Sequence, residues 1–215
     1  MKDPYQTDYW NGAGARKRFS HPLDREFLAA NVALDRPILD VGCGYGRALV
    51  DLESLGYRRL VGVDTSRALI ERGQAEAPGL DLRVVDGGRL PFEDGAFDLV
   101  LLLAVLTSIP SLDHQAELLD ETERILAPGG HVMISDLLIQ EDARNQERYQ
   151  SAGESLGYGA FATGDGGVFR HHDAGWLERL SERWREPVLT RVVIETMNGN
   201  PIHAFRLTGR KAQRV

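Results

Sequence analysis

Five short apolar segments recur along the chain, at residues 37–41, 59–63, 82–85, 97–103 and 131–138, with helix-like stretches between them. Apolar runs of this length alternating with helices predict buried strands of a parallel sheet covered on both faces. Helices are expected at residues 23–32, 47–55, 66–76 and 112–126. In the last of these, Leu112, Ala116, Leu119, Ile125 and Leu126 fall near one face, Asp113 is placed to cap the start, and Ala127-Pro128-Gly129-Gly130 stops it. The pattern then breaks. Residues 140–172 are polar and glycine-rich, which predicts an irregular lid, a binding loop or disorder. A final helix is expected at 176–184, then strands at 188–197 and 202–208 joined by a turn at Asn198-Gly199-Asn200-Pro201.

The segment from Ile38 to Leu49 adds candidate chemistry, because an apolar strand runs through Gly42, Gly44 and Gly46 into a helix. Alternating glycines let a ligand approach the main chain, and the helix start offers free N–H groups. A dinucleotide loop needs a glycine or alanine where Arg47 stands, so the spacing here is G-x-G-x-G preceded by Asp40. The lone Cys43 in this loop reads as a small filler and permits no intramolecular disulfide. With 215 residues the chain is the size of one well-cored domain. A net charge of −7 argues against a broad phosphate-binding surface and so against nucleic acid. The longest apolar run, 99–106, is far shorter than a membrane helix needs, and Met1-Lys2-Asp3-Pro4-Tyr5 has no apolar signal core. A cytoplasmic protein without membrane contact is expected.

Four further stretches follow the loop in order: Leu60 to Ser66, Val84 to Gly88 with Leu90-Pro91-Phe92, Phe97 to Val100, and Leu126 to His131. With the glycine loop they resemble the class I S-adenosylmethionine-dependent methyltransferases over about residues 35–138. The resemblance implies an α/β, Rossmann-like doubly wound sheet of seven strands, mostly parallel with an antiparallel C-terminal strand. It implies one domain, 1–215, with cap or lid helices in 1–34, a cofactor-binding core in 35–139, a substrate-side insertion in 140–172, and a final helix and strand pair in 173–215. Asp64 then meets the ribose hydroxyls beside Thr65, and Asp86 meets the adenine amine beside Gly87. Asp40, Gly42, Gly44, Gly46 and Leu103 complete the cofactor set, with S-adenosyl-L-methionine as donor and S-adenosyl-L-homocysteine as product. The implied activity is methyl transfer to an O, N or C atom of a small-molecule acceptor. The alternatives are a module that binds the cofactor without transferring its methyl, and an NAD-dependent oxidoreductase. Nucleic-acid base amines are disfavoured, since Leu103 to Ser108 stands where such enzymes carry an Asn-Pro-Pro-Tyr-type motif.

The acceptor side must lie outside the core. Tyr5, Tyr9, Trp10, Arg18, Phe19 and His21 form an aromatic and basic cluster ahead of the first helix. Related enzymes fold such segments over the cofactor, which implies Tyr9, Trp10 and Arg18 near its methionine end; the alternative is packing on the exterior. Phe169-Arg170-His171-His172-Asp173 offers two candidate bases, His171 and His172, beside an anion-binding arginine, although Asp173 equally suits a helix cap. No metal is expected: adjacent histidines do not share a helix face, and Leu137 follows Asp136 where catechol-type enzymes place an asparagine. Tyr149, Tyr158 and Phe161 either shape an apolar pocket or cover the sheet edge, and Glu195, Asn198, Asn200 and His203 read as surface or turn residues.

Overall fold

The computed structural model describes residues 4–151, 156–197 and 199–213. Its N-terminal segment holds α1 (Thr7–Asn11), a 3-10 turn (Ala13–Arg16) and α2 (Arg25–Asn31). The alternating core follows as β1 (Pro37–Val41), α3 (Arg47–Ser54), β2 (Arg59–Asp64), α4 (Arg67–Glu76), β3 (Asp81–Val84), β4 (Phe97–Leu103), α5 (Leu112–Ile125) and β5 (Leu126–Leu137). Next come α6 (Ala143–Ser151), β6 (Ala160–Ala162), β7 (Val168–Arg170), α7 (Ala174–Glu182), β8 (Arg185–Glu195) and β9 (Pro201–Arg210).

Seven strands form one sheet in the order β3-β2-β1-β4-β5-β9-β8. Strands β1 to β5 are mutually parallel, and β9 is antiparallel to both β5 and β8. The expected doubly wound sheet with an antiparallel last strand is thus present, and β9 is inserted between β5 and β8. Alternate residues of the central strands feed opposite cores, as the two-residue period of a strand requires. Leu39, Val100, Val132 and Phe205 face α5 and α7 on one side. Ile38, Leu99 and Met133 pack with Leu28 of α2 and Leu49 and Leu52 of α3 on the other. Burial on both faces explains why these strands read as continuous apolar runs rather than alternating ones.

Two sequence expectations are corrected. Helix α5 is capped by Ser111, whose hydroxyl accepts from the His114 N–H at 3.5 Å, while Asp113 lies inside the first turn. Ser111 has the extended backbone a cap needs. Residues 140–172 are not irregular throughout: α6 starts after Asp142, which accepts from the Asn145 N–H at 3.2 Å, and β6 and β7 pair as a short hairpin. That helix escapes a periodicity search because Tyr149 is its one buried residue. Asp173 does cap α7, accepting from the Trp176 N–H at 2.7 Å. The expected turn at Asn198 lies outside the described residues; beside it, Gly199 takes φ 76° and the Thr196 N–H reaches the Asn200 carbonyl at 2.8 Å.

Candidate functional site

Strand order reverses between β1 and β4, so the loops at their carboxyl ends diverge and leave a crevice. A cleft of about 340 Å³ opens there, at the lower end of the range for small-molecule sites. One half is lined by the ends of β1, β2 and β4, including Asp40, Gly42, Asp64, Thr65 and Leu103, with Gly87 beyond β3. The other half is lined by α6, β6, β7 and the β8–β9 turn.

The glycine loop is held by its own backbone and by Asp64. Gly42 and Cys43 both donate to the Val63 carbonyl, at 2.8 and 3.0 Å, which ties the loop to β2. Asp64 accepts from the Gly44 N–H through Oδ2 and from the Ser66 N–H through Oδ1, each at 2.8 Å. Gly44 has φ 58°, and a Cβ there would stand 2.0 Å from the Phe19 ring, so both backbone angle and space demand glycine. Gly46, at φ 79°, instead faces Leu80 and Leu82 and serves the turn into α3. Asp40 is 2% exposed, and burial raises its carboxyl to about 7 against the pull of Arg47. Burial also raises Asp64, opposed by the backbone N–H groups it accepts from. Cys43 is buried and its thiol is pushed up by burial and the two aspartates, so it stays protonated as filler.

The N-terminal segment covers this half. Phe19 stacks on Tyr45 at 5.1 Å, and the Tyr5 ring sits over Gly87 while its hydroxyl accepts from the Gly88 N–H at 3.0 Å. Tyr5, Trp10, Lys17, Phe19 and His21 line the cleft. Tyr9 and Arg18 do not. Arg18 is exposed, between Lys17 and Phe19, which line the cleft. Tyr9 packs behind, edge-on to Trp10 and to Phe169 of β7. Lys17 pairs with Asp165 of the β6–β7 turn at 2.7 Å. Gln6, which carries no sequence signal, is the main clamp. Its Nε2 donates to the Ser108 and Val168 carbonyls at 2.7 and 2.6 Å, and its Oε1 accepts from the Val168 N–H at 2.7 Å. Asp86 is exposed and stands outside the cleft lining, whereas Val85, Gly87 and Gly88 belong to it.

The two histidines separate. His172 is buried away from the cleft, its ring 3.9 Å from that of Trp176, with its nitrogens 3.3 Å from the Leu137 carbonyl and from Gln115 Oε1. This corrects its expected catalytic role, since adjacent residues entering α7 point to opposite sides and His172 takes the core side. His171 lines the cleft. Its Nδ1 lies 2.6 Å from the Tyr149 hydroxyl, which also accepts from the Gln140 N–H at 3.1 Å. Burial lowers His171 to about 4 and His172 to about 3, so both rings are neutral near pH 7. Asp136 is fully buried and accepts from the Thr107 and Leu137 N–H groups at 3.0 and 2.7 Å, a backbone-fixing role. Phe161 lines the cleft, Tyr149 supports His171 from behind, and Tyr158 is exposed.

Asn200, expected as a plain turn residue, lines the cleft with Ile194, Met197 and Ile202. The reason is topological: β8 runs parallel to β5, so its turn into β9 emerges at the carboxyl edge beside the glycine loop.

The residues fit S-adenosylmethionine: a carboxylate acceptor at Asp64, glycines whose Cβ space is closed, and apolar walls from Val63, Leu69, Val85 and Leu90. A methyltransferase-domain family profile matches residues 39–134. Sterol 4-C-methyltransferase strm-1 of Caenorhabditis elegans is 29% identical over 170 residues, covering 75% of this chain and 48% of that protein. A SAM-dependent methyltransferase structure from Methanosarcina mazei superposes with a TM-score of 0.80 at 23% identity, covering 87% of this chain and 98% of that one. The Burkholderia thailandensis 1,6-didemethyltoxoflavin-N1-methyltransferase, solved with S-adenosylhomocysteine bound, gives 0.62 at 20% identity, covering 87% and 76%. The chain spans about half the length of the first curated relatives it matches. No helix among the described residues is long and apolar enough to cross a membrane. The ordered motifs, the strand order and these matches agree: over residues 39–134 the chain is similar to the methyltransferase-domain family, and it shares the Rossmann-like fold of solved SAM-dependent methyltransferases.

Proposed function

We propose that this chain transfers the methyl group of S-adenosylmethionine to a small molecule seated in the half of the cleft bounded by α6, β7 and the β8–β9 turn. The observation that carries this reading is the continuity of one cleft from Gly42, Asp64 and Thr65 to Phe161, His171 and Asn200. When bound, the cofactor supplies a sulfonium-activated methyl, so the chain's task is placement and exclusion of water.

Asp64 accepts the ribose hydroxyls with the lone pairs left over from Gly44 and Ser66. Trp10 and Phe19 cover the methionine end and keep water out, while Lys17 is committed to Asp165 and supports the cap. Val85 and Gly87 line the adenine end, with Asp86 exposed at its rim. His171 stands where an acceptor would lie, as a neutral ring fixed by Tyr149. The acceptor is a metabolite or natural-product intermediate, methylated at O, N or C.

Calorimetry with S-adenosylhomocysteine tests the cofactor assignment, with binding expected in the micromolar range. Labelled S-adenosylmethionine incubated with a metabolite extract tests transfer. Well-folded protein that binds nothing at millimolar cofactor would refute the reading, and binding without any labelled product would reduce the chain to a cofactor-holding module.

A further inference from the structure

The acceptor half of the cleft has a chemistry of its own. Phe161 forms an apolar platform there, with the Arg148 guanidinium over its ring at 5.0 Å and the His171 ring edge-on at 4.8 Å. Arg144, one helical turn earlier on α6, lines the same wall, because residues four apart share a helix face. Among the described residues neither arginine forms an ion pair. The Arg148 guanidinium donates to the neutral Asn145 side-chain oxygen at 3.4 Å. Asp142 also lines the cleft. Its carboxylate is engaged in capping α6, where it accepts from both the N–H and the side-chain amide of Asn145.

His171 adds a donor to this group. With Gln140 N–H donating to the Tyr149 hydroxyl, His171 Nδ1 at 2.6 Å is the acceptor in reach of the phenol proton. A neutral imidazole whose Nδ1 accepts carries its proton on Nε2. The cleft is therefore offered an N–H rather than a basic lone pair.

We infer that Arg148, Arg144 and the His171 N–H form an anion subsite, and that the acceptor is an apolar, ring-bearing molecule carrying a carboxylate or comparable oxyanion. Phe161 takes the ring and the guanidinium takes the charge, the pairing that guanidinium planarity favours. This rests on the reading of the cleft as a methyl-acceptor site.

The test uses two fluorescent probes of similar ring size, anionic 1-anilinonaphthalene-8-sulfonate and neutral N-phenyl-1-naphthylamine, titrated into the full chain. The anionic probe should bind at one site and more tightly than the neutral one. Arg148→Gln should weaken it about tenfold and leave the neutral probe unchanged, Arg144→Gln/Arg148→Gln should weaken it further, and Phe161→Ala should weaken both probes. Equal binding of the two probes, an unchanged anionic affinity in Arg148→Gln, or a parallel fall of both probes in that variant would overturn the subsite. Calorimetry with S-adenosylhomocysteine on the same proteins separates the two readings: its failure removes the cofactor assignment, while the probe pair decides the subsite alone.

Discussion

Replacing Gln6 by Ala should open the N-terminal cap while leaving the sheet intact. The side chain is 8% exposed and makes three hydrogen bonds, to Ser108 O, Val168 O and Val168 N–H, at 2.6 to 2.7 Å. A buried hydrogen bond contributes about 1 kcal/mol net, so the loss is about 3 kcal/mol, or roughly a hundredfold more of the opened cap. The opening is local to the contact between the cap and the β6–β7 hairpin, where the remaining ties are the Tyr9, Trp10 and Phe169 edge contacts, the Tyr9 hydroxyl bond to Asp165 and the partly exposed Lys17–Asp165 pair, while Ser66, Arg72 and Tyr45 still hold residues 10–19 to the core. Native-state hydrogen exchange reads this directly. The amides of Trp10, which donates to Gln6 O at 3.0 Å, and of Val168 should exchange about a hundredfold faster, and those of β1 and β4 should keep their protection. Gln6 also sits at φ 53°, so Gln6→Gly relieves a left-handed strain of about 1 kcal/mol and should open the cap less than Ala does. Unchanged exchange at Val168, or an equal rise across β4, would refute the clamp.

Asp64→Ala should weaken S-adenosylhomocysteine binding by about 1 to 3 kcal/mol through lost charge-assisted bonds, read by calorimetry; unchanged affinity rejects the assignment. Gly44→Ala should displace Phe19 and destabilise the fold by at least about 1 kcal/mol in urea unfolding, whereas Gly79→Ala, with nothing near its Cβ, should be neutral. For His172, held at about 3 in the fold against about 6.5 unfolded, neutrality contributes stability that is complete above pH 6.5 and declines as pH falls toward the folded value. Stability lost in His172→Asn relative to the parent should therefore shrink by about 2 kcal/mol between pH 7 and pH 5, and a difference constant with pH would show that the ring is not held neutral. Asp40, raised to about 7, has the opposite sign: its native proton favours the fold at low pH and that contribution falls as pH rises from about 4 to 7, so Asp40→Asn should gain relative stability over that interval.

The strands and the glycine loop were legible because the information is local. Ile38-Leu39 and Leu99 to Leu102 are buried on both faces, which forces continuous apolar runs, and positive φ at Gly42, Gly44 and Gly46 forces glycine. Asp64 was legible for the same reason, since its place at the end of β2 follows from the strand itself. The acceptor half was not. His171 and His172 are equivalent in sequence, and only the packing of α7 against Phe205 and the bond to Tyr149 send one to the cleft and the other into the core. Asn200 is ordinary turn chemistry until the insertion of β9 between β5 and β8 brings that turn to the carboxyl edge. Gln6 has no periodic or motif signature, because its partners Ser108 and Val168 lie 102 and 162 residues away. Backbone preference and strand burial are written residue by residue, so the sequence alone determines the sheet and the donor-side loop. Which side chains share the far wall depends on long-range pairing, and that the tertiary structure alone decides.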